Sequence, residues 1–401
     1  MISVCMIVKN EESFISDCIK SIRPISDDIH IVDTGSTDAT MDMIREFPSI
    51  NLREFKWCDD FSAARNESIR LAGHPWILII DADERLAEVS REEVLSMANG
   101  PAGADGPITI YGAKIRNQTL DGKLINTDFS PRLHPNRPDV RYSCRVHEKI
   151  SHPKGVSITL NNKFILEHLG ADRSIVSAKK KVSRNLKLLN LAILEEPERI
   201  DLKIYAMYEL EHGCQYKDAI KLGCAICDEL CQMNEEYPGR KRALPDVVHR
   251  LAKCFRCVGE FENLYNVGEL ASKHCAESSW LDLEIAMGQI LDSKPASAMN
   301  TLCAIPTKVY KNKAVYQNMD VLHWLVPRYI GECHLAMGNN DMALKVFQTI
   351  LPFLPSPDLE IVSGYIEALN QGYNRLREGE APLATHADEI LHVGTYEGEI
   401  E

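Results

Sequence analysis

Two aspartates separated by one residue, Asp81-Ala82-Asp83, directly follow the apolar run Trp76–Ile80. Such a run reads as a fully buried strand. Carboxylates at the point where a strand ends can meet one hard cation together with the anionic ligand that the cation bridges. A turn that merely closes the strand would also favour Asp, but its place behind the apolar run favours the chemical reading. Polar groups follow two further runs in the same way. Lys9-Asn10-Glu11 comes after Ile2–Val8, and Asp33-Thr34-Gly35-Ser36-Thr37-Asp38 comes after Ile29–Val32. Asp33 can accept hydrogen bonds from a nucleobase imide or a ribose. The Gly-Ser-Thr turn opens a helix whose first amides suit an anion or a side-chain cap.

The elements that must position these groups alternate. Strands are expected over Ile2–Val8, Ile29–Val32, Asn51–Phe55 and Trp76–Ile80, with helices over Glu12–Ile22, Thr37–Phe47 and Phe61–Ala72. Strand–helix–strand repetition implies right-handed crossovers and a parallel sheet covered on both faces. Ligands of such sheets lie beyond the carboxyl ends of the strands, where the three polar segments fall. Short strand-like pieces (Ile108–Ile110, Ala113–Arg116, Ser157–Leu160, Phe164–Leu166) then sit among turn residues and complete a mixed sheet. After about Ser174 the pattern is helical. Gly331, Gly338, Ala343, Phe347 and Pro355 fit the small and large positions of a tetratricopeptide helix pair. Weaker relatives surround Gly259 and Gly213. The expected division is a catalytic α/β domain at 1–172, a helical repeat domain at 173–377 and an acidic tail at 378–401, which holds seven acids and no Lys or Arg.

Four segments in this order and spacing resemble the family 2 glycosyltransferases, inverting enzymes of GT-A fold. They are Met6–Glu11, Asp33–Asp38, Asp60-Phe61-Ser62-Ala63-Ala64-Arg65-Asn66 and Asp81–Glu84, with a later match at Arg145-Val146-His147-Glu148. The combination of these segments with a helical, tetratricopeptide-like second half is similar to the subgroup of sublancin-type peptide S-glycosyltransferases. The resemblance implies a UDP-sugar donor and Mn²⁺ or Mg²⁺. Val8, Asn10 and Glu11 would line the nucleotide pocket. Asp33 would contact the base, Ser36 the nucleotide, and Arg65 the diphosphate or the metal loop. Asp81 and Ala82 would lie against the donor, and Asp83 would bind the metal, joined by His168. Glu148 is the candidate base, with His147 as its rival, because a group near the acceptor must take the proton as attack develops. Arg132 and Arg145 fall in the acceptor region, where either could touch phosphate.

Composition narrows the partners. The 401 residues carry 45 Lys+Arg against 58 Asp+Glu, a net charge of −13, which disfavours nucleic acid because such binding relies on basic surface. A local basic patch, such as Lys179-Lys180-Lys181, remains compatible with an anionic acceptor. No run is long enough for a membrane span, and the N-terminal apolar run reads as a strand and not as a signal segment. The expectation is therefore a cytoplasmic protein with reduced thiols. Cys224/Cys227 and Cys254/Cys257 fall inside helical patterns and read as core residues in preference to a zinc site. The acceptor expected is a peptide or protein side chain, or a glycan, with the helical half recruiting it or pairing protomers. A modified DNA base is a further option. Two rivals are a nucleotidyltransferase, which should show a Gly-rich basic loop after the first strand, and a non-catalytic repeat protein with a relic first half.

Overall fold

The computed structural model describes residues 1–99, 107–169, 175–234, 238–274, 279–311 and 324–377. The expected acidic tail, 378–401, lies outside the described residues. The chain divides into two compact units, Met1–Glu198 and Arg199–Glu401.

The first unit begins with β1 (Ile2–Val8), α1 (Ile15–Ile22), β2 (Asp28–Asp33), α2 (Thr40–Arg45), β3 (Ile50–Glu54), α3 (Phe61–Ile69) and β4 (Trp76–Ile79). Three crossovers make β3-β2-β1-β4 parallel. β4 is apolar throughout and β1 is apolar apart from Ser3, as expected of strands buried on both faces, and their side chains form the core with Ile15, Cys18, Ile19 and Ile22 of α1. Next come β5 (Glu84–Leu86), α4 (Arg91–Met97), β6 (Ile108–Gln118), β7 (Leu124–Pro135), β8 (Arg141–Ser143), β9 (Lys149–Ser151), β10 (Val156–His168) and α5 (Ile175–Glu195). β7 pairs antiparallel with β4 and with β6, β10 pairs parallel with β6, and β5 closes the sheet antiparallel to β10. β8 and β9 form a separate hairpin.

The sheet is mixed, as expected, with three differences of detail. The four short pieces expected after Pro107 are two long strands, β6 and β10, and register shifts at Tyr111/Gly112 and at Asn161/Ile165 coincide with the breaks in the pattern. β7 carries no alternation because both faces of its first half are exposed. The first two helices start late: Glu12 accepts from the Ala39 amide and Thr37 donates its amide to Asn10, so these residues tie loops together and do not begin helices.

The second unit is helical: α6 (Ile200–His212), α7 (Tyr216–Gln232), α8 (Pro238–Cys257), α9 (Phe261–His274), α10 (Ser279–Leu291), α11 (Pro295–Lys311), α12 (Val326–Ala336), α13 (Asn340–Ile350) and α14 (Ser356–Arg377). Its cores are separate from the sheet core. Consecutive helices pack in pairs, and α6, α8, α10 and α12 also contact one another in succession. The two Cys-x-x-Cys pairs lie within α7 and α8, with Cys227 and Cys254 buried. Among the described residues the cysteines are free thiols, and no helix is long and apolar enough to cross a membrane.

Candidate active site

The polar residues that follow β1, β2 and β4 meet at one end of the sheet. Asn10, at φ 57, turns sharply out of β1, a conformation Asn tolerates. Its amide donates to Ser36 Oγ at 2.9 Å, and its Oδ1 accepts from the Thr37 amide at 2.8 Å. The loops after β1 and β2 are thus sewn together. Asp33 accepts from the amides of Gly35 at 2.8 Å and Ser36 at 3.0 Å. The turn needs glycine at Gly35, where φ is +107. Glu11 donates its amide to Thr40 Oγ1. Val8, Asn10, Glu11, Asp33 and Ser36 therefore form one continuous rim, with Asp33 shaping the loop through its own amides.

The Asp81–Glu84 segment forms the centre. Arg65 of α3 donates through Nη2 to Asp81 Oδ1 at 3.1 Å and to Glu148 Oε1 at 3.2 Å. Arg132 of β7 donates to Asp81 Oδ2 at 3.1 Å and to Glu84 Oε1 at 2.5 Å. Glu84 in turn accepts from the Asp81 amide. Burial would raise the Asp81 carboxyl, but the Arg132 and Arg65 guanidiniums outweigh it and hold the group well below the usual carboxylate range. Burial raises Glu84 against the pull of Arg132, and the charge on Asp81 adds to the rise. Ala82 is buried between the two aspartates.

Asp83 faces the other way. Its Oδ2 lies 3.4 Å from His168 Nε2, at the last residue of β10. The hydrogen bond to Asp83 raises the imidazole above its ordinary pKa against partial burial. A carboxylate and an imidazole at this separation suit a divalent cation as a donor pair. Among the described residues no cluster of three or more His, Cys, Asp or Glu side chains could hold a metal. A cation here would take its remaining ligands from phosphate oxygens and water, as Mg²⁺-type ions commonly do.

Glu148 is delivered by the loop between β8 and β9. Cys144 and His147 both adopt positive φ, at 79 and 53, and double the chain back. Asn66 fastens this hairpin to α3 by donating to the Tyr142 carbonyl and accepting the Tyr142 amide, both at 2.9 Å. The Phe61 amide donates to the Arg145 carbonyl, and Asp60 caps α3 by accepting from Ala63. Arg65 and Glu148 thus arrive together from two elements locked to each other.

Arg145 is placed elsewhere. It pairs with Glu195 of α5 and donates to the Asp59 carbonyl, while Lys187 of the same helix pairs with Asp59. Arg184 lies over the Phe61 ring. In this conformation Arg145 holds α5 against the loop that precedes α3. Glu84 and Asn117, whose Oδ1 lies 2.6 Å from His168 Nδ1, are the residues of the site to which sequence reasoning gave no role. Glu84 could be suspected as an acid three residues after Asp81. Asn117 carries no signal, because its importance depends on strand pairing.

Residues 3–152 match the family described as Glycosyl transferase family 2. A TPR repeat-containing protein of Synechococcus elongatus is 30% identical over 205 residues, covering 49% of each chain. The SPbeta prophage-derived glycosyltransferase SunS of Bacillus subtilis is 30% identical over 200 residues, 48% of this chain and 45% of that one. The chain therefore spans about half the length of the curated relatives it matches. A crystal structure of S. aureus TarS 1-349 aligns over 79% of this chain and 93% of its own, at 11% identity and a TM-score of 0.33. The family match thus falls on the part of the chain that carries the mixed sheet and the site, and the chain continues beyond it into a helical unit.

Proposed function

We propose that the chain is a metal-dependent, inverting glycosyltransferase. It moves a sugar from a nucleotide-sugar, with a UDP-sugar as the preferred donor, to an acceptor hydroxyl or thiol. The acceptor class is a peptide or protein side chain or a glycan, recruited by the helical unit. The observation that carries this reading is the juxtaposition of Asp83 with His168, 3.4 Å apart, next to an Asp81 that shares Arg65 with Glu148.

The rim of Val8, Asn10, Glu11, Asp33 and Ser36 would hold the nucleoside. Asp83 and His168 would hold Mn²⁺ or Mg²⁺, which supplies Lewis acidity to the departing diphosphate. Asp81, fixed from both sides by Arg65 and Arg132, would orient the donor. Displacement breaks the bond from the anomeric carbon to the diphosphate oxygen and forms the bond to the acceptor atom on the opposite face. Glu148 takes the acceptor proton as that bond forms, and Arg65 fixes the direction of its carboxylate. His147, one residue earlier, is the second candidate for the same proton.

Thermal shift with UDP, GDP and CDP, each with Mn²⁺ or EDTA, tests the reading. A UDP stabilisation that needs Mn²⁺ and disappears in Asp83→Ala is expected, whereas no shift with any nucleotide would overturn the assignment. Glu148→Gln should keep the shift and lose about 10²–10⁴-fold in transfer rate. Full transfer by that variant would remove Glu148 from the role of base.

A further inference from the structure

Glu148 directly precedes β9, and β8 and β9, of three residues each, form a sheet of their own. A two-stranded ribbon is marginally stable at best, so the place of Glu148 is set by what fastens the ribbon to the domain. Attachments to α3 follow one another along it. Asn66 bonds Tyr142, the Phe61 amide bonds the Arg145 carbonyl at 2.8 Å, and Arg65 bonds Glu148 at 3.2 Å. The Tyr142 ring also enters the apolar cluster of Cys5, Ile69, Ile77 and Ile79. Asn66 differs from the rest because its side chain grips the strand backbone. Its Oδ1 accepts the Tyr142 N–H and its Nδ2 donates to the Tyr142 carbonyl, both at 2.9 Å. A peptide N–H only donates and a peptide carbonyl only accepts, so the amide stands one way round. In an antiparallel pair the N–H and C=O of one residue point to the same edge. Those of Tyr142 point to Asn66, so the ladder bonds to β9 fall to the flanking pairs, Arg141/Ser151 and Ser143/Lys149. The Asn66 side chain thus completes the outer edge of β8, as a neighbouring strand would.

We infer that Asn66 is a positioning residue for the transfer reaction, which by holding β8 at Tyr142 sets where the Glu148 carboxylate stands relative to Asp81. The inference deepens the function proposed above and rests on it for the role of Glu148. Arg65 also reaches Glu148, but it bonds Asp81 through the same nitrogen, and its removal would change the charge of the site. Asn66 is uncharged, and both ends of its amide are engaged by Tyr142. Losing it leaves the two peptide groups of Tyr142 without that partner and releases the ribbon. The rim that would hold the nucleotide is tied by its own bonds, among Asn10, Glu11, Ser36, Thr37 and Thr40. The cost therefore belongs to the chemical step and not to donor binding.

The test is a double-mutant cycle on the full chain, read as UDP release from UDP-glucose, UDP-galactose or UDP-N-acetylglucosamine with Mn²⁺ present and water as acceptor. Asn66→Ala should keep the donor KM and the Mn²⁺-dependent UDP thermal shift, and lower kcat by about 10–100-fold, the scale of a misplaced catalytic group. In a Glu148→Gln background the same substitution should cost less than about threefold, because residues that act as a unit are not additive. Equal losses in both backgrounds would overturn the inference and leave the base in place, as would a raised KM at unchanged kcat. Should Asn66→Ala fail to fold, Asn66→Asp takes its place in the cycle and is judged by the same outcomes. It keeps an oxygen for the Tyr142 N–H and loses the donor to the carbonyl. A wild-type chain that releases no UDP sinks the proposed function instead, and a Glu148→Gln variant at the wild-type rate sinks its base. Hydrogen exchange then decides for Asn66. The amides of residues 142–148 should exchange at least about tenfold faster in Asn66→Ala, and unchanged protection there would show that Asn66 positions nothing.

Discussion

Both oxygens of Asp81 are claimed by arginines, from 16 residues upstream and 51 residues downstream, while Asp83, two positions on, faces a histidine. Adjacent acids of one motif therefore have different electrostatic fates, and the difference comes from partners remote in sequence. The acid types and their place after β4 were legible, because an apolar run followed by carboxylates is a local pattern. The division of work between them was not, since Arg65 and Arg132 join them only through the fold. The same limit hid His134, a β7 residue with no exposed surface. Its ring meets Tyr142 edge-on at 5.8 Å. Burial lowers its pKa from 6.5 to about 4, only partly opposed by its bond to the Pro135 carbonyl. Below pH 6.5 the unfolded chain protonates this histidine and the folded chain does not, so stability must fall as pH drops from about 6.5 to about 4. The loss from this residue amounts to roughly 3 kcal/mol. Urea midpoints across this range should decline less steeply in His134→Phe than in the wild type. Parallel slopes would show that His134 does not titrate in this way.

The helical unit was read from one good repeat and two weak ones, and its turns explain why a further pair was missed. α6/α7, α8/α9, α10/α11 and α12/α13 are each joined by three residues with one shared set of backbone hydrogen bonds. The middle residue has positive φ every time: Cys214, Gly259, Ser293 and Gly338. Two of the four are not glycine, so the α10/α11 pair carried no punctuation, and Gly213 stands one residue before the position it was matched to. Seven residues before and nine after the middle residue stand Met207/Gly223, Ala252/Gly268, Ala286/Leu302 and Gly331/Phe347. A Cβ on Gly331 would lie 2.4 Å from the Phe347 ring, and one on Gly223 would lie 2.8 Å from the Met207 methyl. The first and last pairs thus hold the same contact with large and small exchanged. Gly331→Met alone should cost about 1–3 kcal/mol by overpacking, and Phe347→Gly about 3–5 kcal/mol or more through the cavity and backbone freedom it creates. Combined, they imitate the Met207/Gly223 pair and should recover at least about 1 kcal/mol of the sum. Strict additivity in urea unfolding would refute the idea that the positions are interchangeable.

The two units have their own cores, one built on β1, β4 and α1 and the others on the helix pairs. Buried charges are also settled within each: Arg65 and Arg132 with the site acids, Glu211 with Arg250 and Lys253, Arg328 with Glu332. The net charge of −13 therefore says little about either, since seven of the acids belong to residues after Arg377. Units with separate cores unfold as separate cooperative steps unless a large interface couples them. Calorimetry of the full chain should therefore resolve two transitions. A ligand that binds only folded protein stabilises by mass action, by about 2.7 kcal/mol at a hundredfold excess over its dissociation constant. UDP with Mn²⁺ should raise one transition and leave the other in place, whereas Gly331→Met should lower only the second. If both perturbations moved a single transition together, the units would be one cooperative body, and occupancy of the donor site would bear directly on the helical surface proposed to recruit the acceptor.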